Sequence, residues 1–290
     1  MSALPIDGID DPIASLLEKV DGMAVLPHVV FKVLEVSSSE DAAPLELERA
    51  IIVDPGFSSK VLTLANSAFF GLPRRVTSIR EAVLFLGFRA VRNLAMTVGA
   101  YDMFVGKNDK ESLRRRAWWH HSVDTAVCCK WLAYFSRKAQ PDDCYTCGLL
   151  HWIGKTLLDR FGNGNYEQVE QIMANDVPEL IAEMRVFGCD HVEAAVAASE
   201  RWGFPPALLS GLSYMTPPKE DDPSGAERAC TAVSTEIARI SRFRQDNPGE
   251  DEPARMPQWA LDLLAVPAEK VDMMLEQGIG AIAAGQLHLA

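Results

Sequence analysis

Apolar residues recur along this chain at helical rather than alternating spacing. From Phe57 onward, Val61, Leu62, Leu64 and Ala65 follow that spacing, and Trp118, Trp119, Val123, Ala126, Val127, Trp131 and Tyr134 do so again. In the second stretch Leu132 and Phe135 fall on the other side, so that helix is apolar nearly all round and belongs in the middle of a core. No alternating strand of convincing length occurs, and Val29–Val36 is short and ambiguous. The start signals agree with helices. Asp11-Pro12 and Asp54-Pro55 each place an N-cap acid before a proline at the first helical position. Ser78-Ile79-Arg80-Glu81 has the form of a capping box, in which the Ser oxygen and the Glu carboxylate both satisfy backbone N–H groups, and Gly87 suits the helix end. The pattern predicts an all-α fold of roughly a dozen helices.

The segments 216–227 and 245–258 break this pattern. Both are rich in proline and acid and read as loops. Arg228–Arg244 lies between them as a helix, and Trp259–Leu264 and Ala268–Leu287 close the chain as short helices. The expected organisation is an N-terminal helical segment over 1–19, a main body over 20–215 and a helical C-terminal extension over 216–290.

Charge narrows the function classes. The chain of 290 residues has 28 Lys and Arg against 40 Asp and Glu, a net charge of −12. That balance counts against a protein held mainly by nucleic-acid phosphates or anionic lipid. Apolar runs such as Ala82–Phe88 are far shorter than the ~20 residues of a membrane span. Met1–Asp11 carries no basic residue, so neither a secretory nor a mitochondrial leader is expected and a cytoplasmic location follows. Six cysteines are too few for a disulfide scaffold. Cys144 and Cys147 form a C-x-x-C pair without a second pair at zinc spacing, so both read as small apolar core residues, as do Cys128 and Cys129.

Three histidines stand apart: His121 in the central helix, His151 and His191. A helical metal phosphohydrolase needs ligands from several helices converging on one or two cations. His151-Trp152-Ile153-Gly154-Lys155, preceded by Gly148-Leu149-Leu150, resembles the H-D-I-G-K core of the HD phosphohydrolase superfamily. Other stretches are similar to one branch of it, the HDOD domain (HD-related output domain). They are Leu26-Pro27, Asp54-Pro55, Leu64 to Gly71, Ser78 to Ala82, Leu86-Gly87, Trp119-His120-His121-Ser122, Asp190-His191-Val192-Glu193 and Arg201 to Pro205. The resemblance covers about residues 20–215. It implies an HD-like helical bundle and a bacterial regulatory output domain that contacts partner proteins.

The departures from the superfamily decide the expected chemistry. Trp152 stands where the resemblance implies the metal-bridging Asp. Indole has no acceptor lone pair for a cation, and its bulk takes the space of a metal and its water. Ser213-Tyr214-Met215 offers no ligand type where catalytic relatives carry one. His121, His151 and His191, as imidazoles without a carboxylate, are a poor site for Mg²⁺ or Mn²⁺, though they suit an adventitious Zn²⁺ or Ni²⁺. The expectation is a relic site at His121, His151, Trp152, Lys155 and His191, with no catalytic residue, metal or cofactor. The histidines read as hydrogen-bonded core residues and Lys155 as solvated.

The remaining candidates read as structural. In the family-characteristic loop Asn66, Ser67, Phe70 and Gly71, Asn66 caps a helix, Gly71 supplies a positive-φ turn, and Phe69 and Phe70 anchor it. Residues 44–66 have the outline of a helix-turn-helix, but the second helix has Lys60 as its only cation, so nucleic acid is not the expected partner. Arg114-Arg115-Arg116, Arg89 and Arg92 read as solvated, with an anionic docking surface as the sharper alternative. The expected function is therefore a non-enzymatic signalling module with a protein partner, or a nucleotide, in two-component or cyclic-nucleotide signalling. The alternatives are a phosphohydrolase with an altered metal site and a DNA-binding regulator.

Overall fold

The computed structural model describes residues 11–21, 28–37, 43–67, 70–105 and 112–286. Among these there are sixteen α-helices and no strand. The N-terminal helices are α1 (Pro12–Asp21), α2 (His28–Ser37), α3 (Pro44–Ile52), α4 (Pro55–Ala65), α5 (Ile79–Leu86) and α6 (Phe88–Val105). The stretch Val29–Val36, ambiguous in sequence, is thus helical. Its valines Val29, Val30 and Val33 are buried together with Leu34, and tertiary packing overrides the strand preference of valine. Leu26 and Pro27 lie outside the described residues.

The local signals act through named bonds. Asp54 accepts from the Phe57 N–H at 3.0 Å and starts α4. The Ser78 hydroxyl accepts from the Glu81 N–H at 3.1 Å. The Glu81 carboxylate does not close the box onto Ser78; it accepts from the Thr77 N–H at 2.8 Å and from Arg74. Asn66 donates to the carbonyls of Leu62 and Val76 and accepts from the Val76 N–H, each at 2.8 Å. Gly71 has φ +53°, and Phe70 packs against the core, whereas Phe69 lies outside the described residues.

The centre is α7 (Ser112–Ser136) packed along α8 (Pro141–Leu150). Gly148 permits that approach, since a Cβ there would sit 2.8 Å from the Ala126 Cα. Then follow α9 (Ile153–Phe161), α10 (Tyr166–Met173), α11 (Glu179–Phe187), α12 (His191–Arg201) and α13 (Pro206–Leu212), and finally α14 (Gly225–Asp246), α15 (Gln258–Leu263) and α16 (Val271–Gln286). Tyr134 departs from the buried pattern of α7 and is exposed.

Apolar residues gather into two cores. The first joins α1–α6 and α9–α13 to the N-terminal half of α7, through Trp118, Trp119, Val123 and Ala126. The second joins the C-terminal half of α7, through Cys128, Cys129, Leu132 and Ala133, to α14–α16. The C-x-x-C pair is divided between them: Cys147 belongs to the first and Cys144 to the second. All six cysteines are buried and unpaired.

Of the arginines read as solvated, Arg89 and Arg116 are exposed as expected, whereas Arg92, Arg114 and Arg115 are internal struts. Arg115 is fully buried with Asp159 Oδ2 at 3.3 Å, and Arg114 pairs with Asp159 and Glu170. Arg89 and Arg92 reach Asp142 and Asp143 on α8.

Candidate functional site

The H-x-I-G-K stretch forms the junction of α8 and α9, where two helices meet through a two-residue turn at His151 and Trp152. Gly154 makes the junction possible. A Cβ at this position would lie 1.8 Å from the His191 carbonyl oxygen, so only glycine lets the start of α9 meet the start of α12. This contact brings His191 beside His151. α7 supplies His121 from the other side, and the rings of His121 and His151 are 5.4 Å apart. The sequence-predicted residues His121, His151, Trp152, Lys155 and His191 therefore converge. The loop of Asn66, Ser67, Phe70 and Gly71 joins α4 to α5 and bonds within itself.

The imidazole nitrogens are already committed. His151 Nδ1 lies 2.7 Å from the Gly148 carbonyl oxygen and must donate to it. Its Nε2 is then the acceptor, and Thr235 Oγ1 lies 3.0 Å away. Thr235 donates its single proton there, so it accepts from His121 Nε2, also at 3.0 Å. The directed chain runs from His121 through Thr235 and His151 to Gly148. Burial, followed by the charges of Lys155 and Arg239, pushes the His121 pKa down to about 3. Burial first, then His121, drives His151 well below its ordinary value. Both rings are neutral at pH 7.

Trp152 covers this pair. Its ring stacks on His121 at 3.8 Å and 20°, and its Nε1 donates to Tyr214 Oη at 3.2 Å. Lys155 is not solvated, contrary to expectation. It is 2% exposed, its Nζ lies 3.5 Å from the Trp152 ring centroid, and both carboxylate oxygens of Glu179 accept from it at 2.8 Å. Aromatic cover and a bidentate acid together make this burial tolerable.

His191 belongs to a second hydrogen-bonded chain. Glu183 Oε2 accepts from the His191 backbone N–H at 2.9 Å and from Nδ1 at 2.7 Å. Tyr214 Oη lies 3.0 Å from His191 Nε2, and Tyr166 donates to the other oxygen of Glu183. Glu183 has no exposed surface. Burial alone would raise its pKa; His191, Lys155 and Tyr166 outweigh that and hold it below the ordinary value. Carboxylates therefore do stand at this site, but Glu179 is engaged by Lys155 and Tyr166, and Glu183 by His191 and Tyr166.

Glu179, Glu183, Tyr166 and Thr235 are not apparent as site residues in the sequence, and Tyr214 is legible there only as a non-ligand. They carry no local motif and come from helices distant along the chain. Above Trp152 a cavity of about 910 Å³ opens between α7, α11 and α14, lined among others by Trp118, Ile181, Met215 and Arg239. Ile181 and Met215 are exposed at its rim.

The superfamily's metals do not fit these residues. Among the described residues no group of three or more His, Cys, Asp or Glu is placed to hold an ion. The two Nε2 atoms that face each other are bridged by a hydroxyl, and Trp152 stacks over them.

The comparisons with known proteins bear on the fold and the family. A candidate phosphohydrolase of Shewanella amazonensis SB2B is 26% identical, with a TM-score of 0.66 over 94% of this chain and 98% of its own. An HDOD domain protein of unknown function from Geobacter sulfurreducens is 21% identical, with a TM-score of 0.72 over 98% of this chain and 100% of its own. An uncharacterized protein of Treponema pallidum is 26% identical over 207 residues, 69% of this chain, and the chain spans 39% of that curated relative's length. Among the described residues no helix is long and apolar enough to cross a membrane. The HDOD domain model matches residues 23–218, and the chain belongs to the HDOD domain family.

Proposed function

We propose that this chain is a non-catalytic regulatory module of bacterial signalling that works in the cytoplasm by recognising a protein partner, in a two-component or cyclic-nucleotide pathway. The observation that carries this reading is the hydroxyl bridge from Thr235 to His121 and His151. A hydrolase of this architecture needs those nitrogens free for a cation that activates water. Here they are spent on a threonine and roofed by an indole. What the scaffold retains is shape: a packed bundle and an open cavity with an apolar rim at Ile181 and Met215.

The second reading is a phosphohydrolase with an altered site, favoured by the name and full-length similarity of the Shewanella relative. Untagged chain assayed with Mg²⁺ or Mn²⁺ on phosphomonoesters and phosphodiesters separates the two. The expected result is no turnover above the metal-only background. Turnover together with stoichiometric bound metal would overturn the proposal.

A companion variant, Trp152→Asp, removes the His121 stack and the Tyr214 bond and adds a carboxylate to a site already holding Glu179. It is expected to lower stability by about 3 kcal/mol, read by urea unfolding. Retained stability with a gain in Mn²⁺ affinity would count for the enzyme reading.

A further inference from the structure

Thr235 lies on α14, outside residues 23–218 that match the family. Its hydroxyl nevertheless sits between the two imidazoles that the resemblance places at the metal centre. Each nitrogen is 3.0 Å from Oγ1, a hydrogen-bond separation. A zinc ion in that position would need both nitrogens as lone-pair donors at about 2.0–2.1 Å.

The proton inventory forbids this arrangement. His151 presents its lone pair to Thr235, because its other nitrogen donates to Gly148. His121 Nε2 presents a proton, because a hydroxyl that donates to His151 has only acceptance left to offer. A cation entering here must expel the threonine and move the His121 proton to Nδ1.

We infer that Thr235 is the resident substitute for the lost cation. It is a positioning residue that fixes the tautomers of His121 and His151 and closes the pair to divalent metals. This deepens the metal-free reading proposed above and rests on it. It also makes the C-terminal segment a structural component of the site rather than an appendage. The same helix carries Glu236 and Arg239, which line the cavity.

The test uses the full chain, expressed without a polyhistidine tag and labelled with ¹⁵N at histidine. Long-range ¹H–¹⁵N spectra are expected to show His121 protonated at Nε2 and His151 at Nδ1. Co²⁺, followed by its visible absorption, is expected not to bind at this pair. Thr235→Ser keeps the hydroxyl and is expected to leave both results unchanged. Thr235→Val keeps the volume and loses the bridge, so His121 is expected to populate both tautomers and Co²⁺ affinity to rise at least tenfold.

The inference is overturned if His121 carries its proton on Nδ1 in the wild type. It is equally overturned if the wild type binds Co²⁺ through the pair, or if Thr235→Val changes neither the tautomers nor the affinity. Should Thr235→Val fail to fold, the wild-type spectrum and the Co²⁺ titration decide alone. Phosphoester turnover by the wild type would sink the non-catalytic reading whatever Thr235 does. Cobalt uptake by an inactive wild type would sink only the bridge.

Discussion

The two cores are built on different terms. The first is assembled from large aliphatic and aromatic side chains, and its edge carries a buried charge network of Glu183, His191, Tyr166 and Lys155. The second is made largely of small residues. Ala229, Cys230, Ala232, Val233 and Ala238 of α14 lie against Cys128, Cys129 and Ala133 of α7. Its buried polar groups are hydroxyls such as Thr231, Ser234 and Ser241, together with Glu227, which accepts from the Gln140 backbone N–H at 3.1 Å. Small side chains let helices approach closely, and Gly285 extends this, since a Cβ there would come within 2.9 Å of Val127. Trp152 packs against both cores and is the seam between them. The helices after residue 218 are therefore not appended to a finished domain. They cover one half of α7 and place Thr235 against its histidines.

The largest expected effect comes from removing that cover. Deleting residues 225–290 exposes the second core, and α14 alone contributes seven fully or almost fully buried apolar residues, from Ala229 to Ile240. At about 1–2 kcal/mol each, the loss is on the order of 10 kcal/mol, comparable to the whole stability of a domain. The fragment 1–224 is expected to show no cooperative melting by circular dichroism. A sharp transition near that of the full chain would make the first core independent and undo the comparison.

Next in size is Gly154→Ala, which strikes the first core. The added methyl meets a backbone carbonyl at 1.8 Å rather than a flexible side chain. Separating α9 from α12 to relieve it is expected to cost at least about 3 kcal/mol. Chemical denaturation reads this loss, and an unchanged midpoint would mean that the helices are not locked there.

The two cores also differ in how far they can be read from sequence. Helix positions, the caps at Asp54 and Ser78 and the role of Asn66 are legible because each depends on residues within a few positions. Gly154 and His151 of the H-x-I-G-K junction, and with them His121 and His191, are legible through a resemblance. The state of the site is not. Lys155 reads as solvated because nothing nearby in sequence shows Glu179 waiting 24 residues on. Thr235 stands 84 residues from His151 and 114 from His121, in a helix whose pattern marks only a buried face. Burial of Arg115 is hidden for the same reason, since Asp159 is its distant partner. Long-range polar pairing leaves no periodic trace, whereas apolar faces do.

The smallest expected effect is on pH dependence, and it sharpens the seam between the cores. His121 remains neutral down to about pH 3 and His151 is also held well below its ordinary range. In the unfolded chain both imidazoles protonate near pH 6.5. Above that pH the two states bind the same protons at these residues and stability is fully present. As pH falls below about 6.5 the unfolded state takes up protons that the folded state refuses, so stability is lost progressively toward pH 3. The limiting slope is about 1.4 kcal/mol per pH unit for each imidazole. Between pH 7.5 and 5.5 the urea midpoint should therefore drop before the carboxylates titrate. His121→Gln should shrink that drop by roughly half, because one of the two proton-refusing rings is gone. A midpoint that stays level over this interval would mean that the pair accepts protons in the folded state. The directed chain from His121 to Gly148 would then be broken at Thr235.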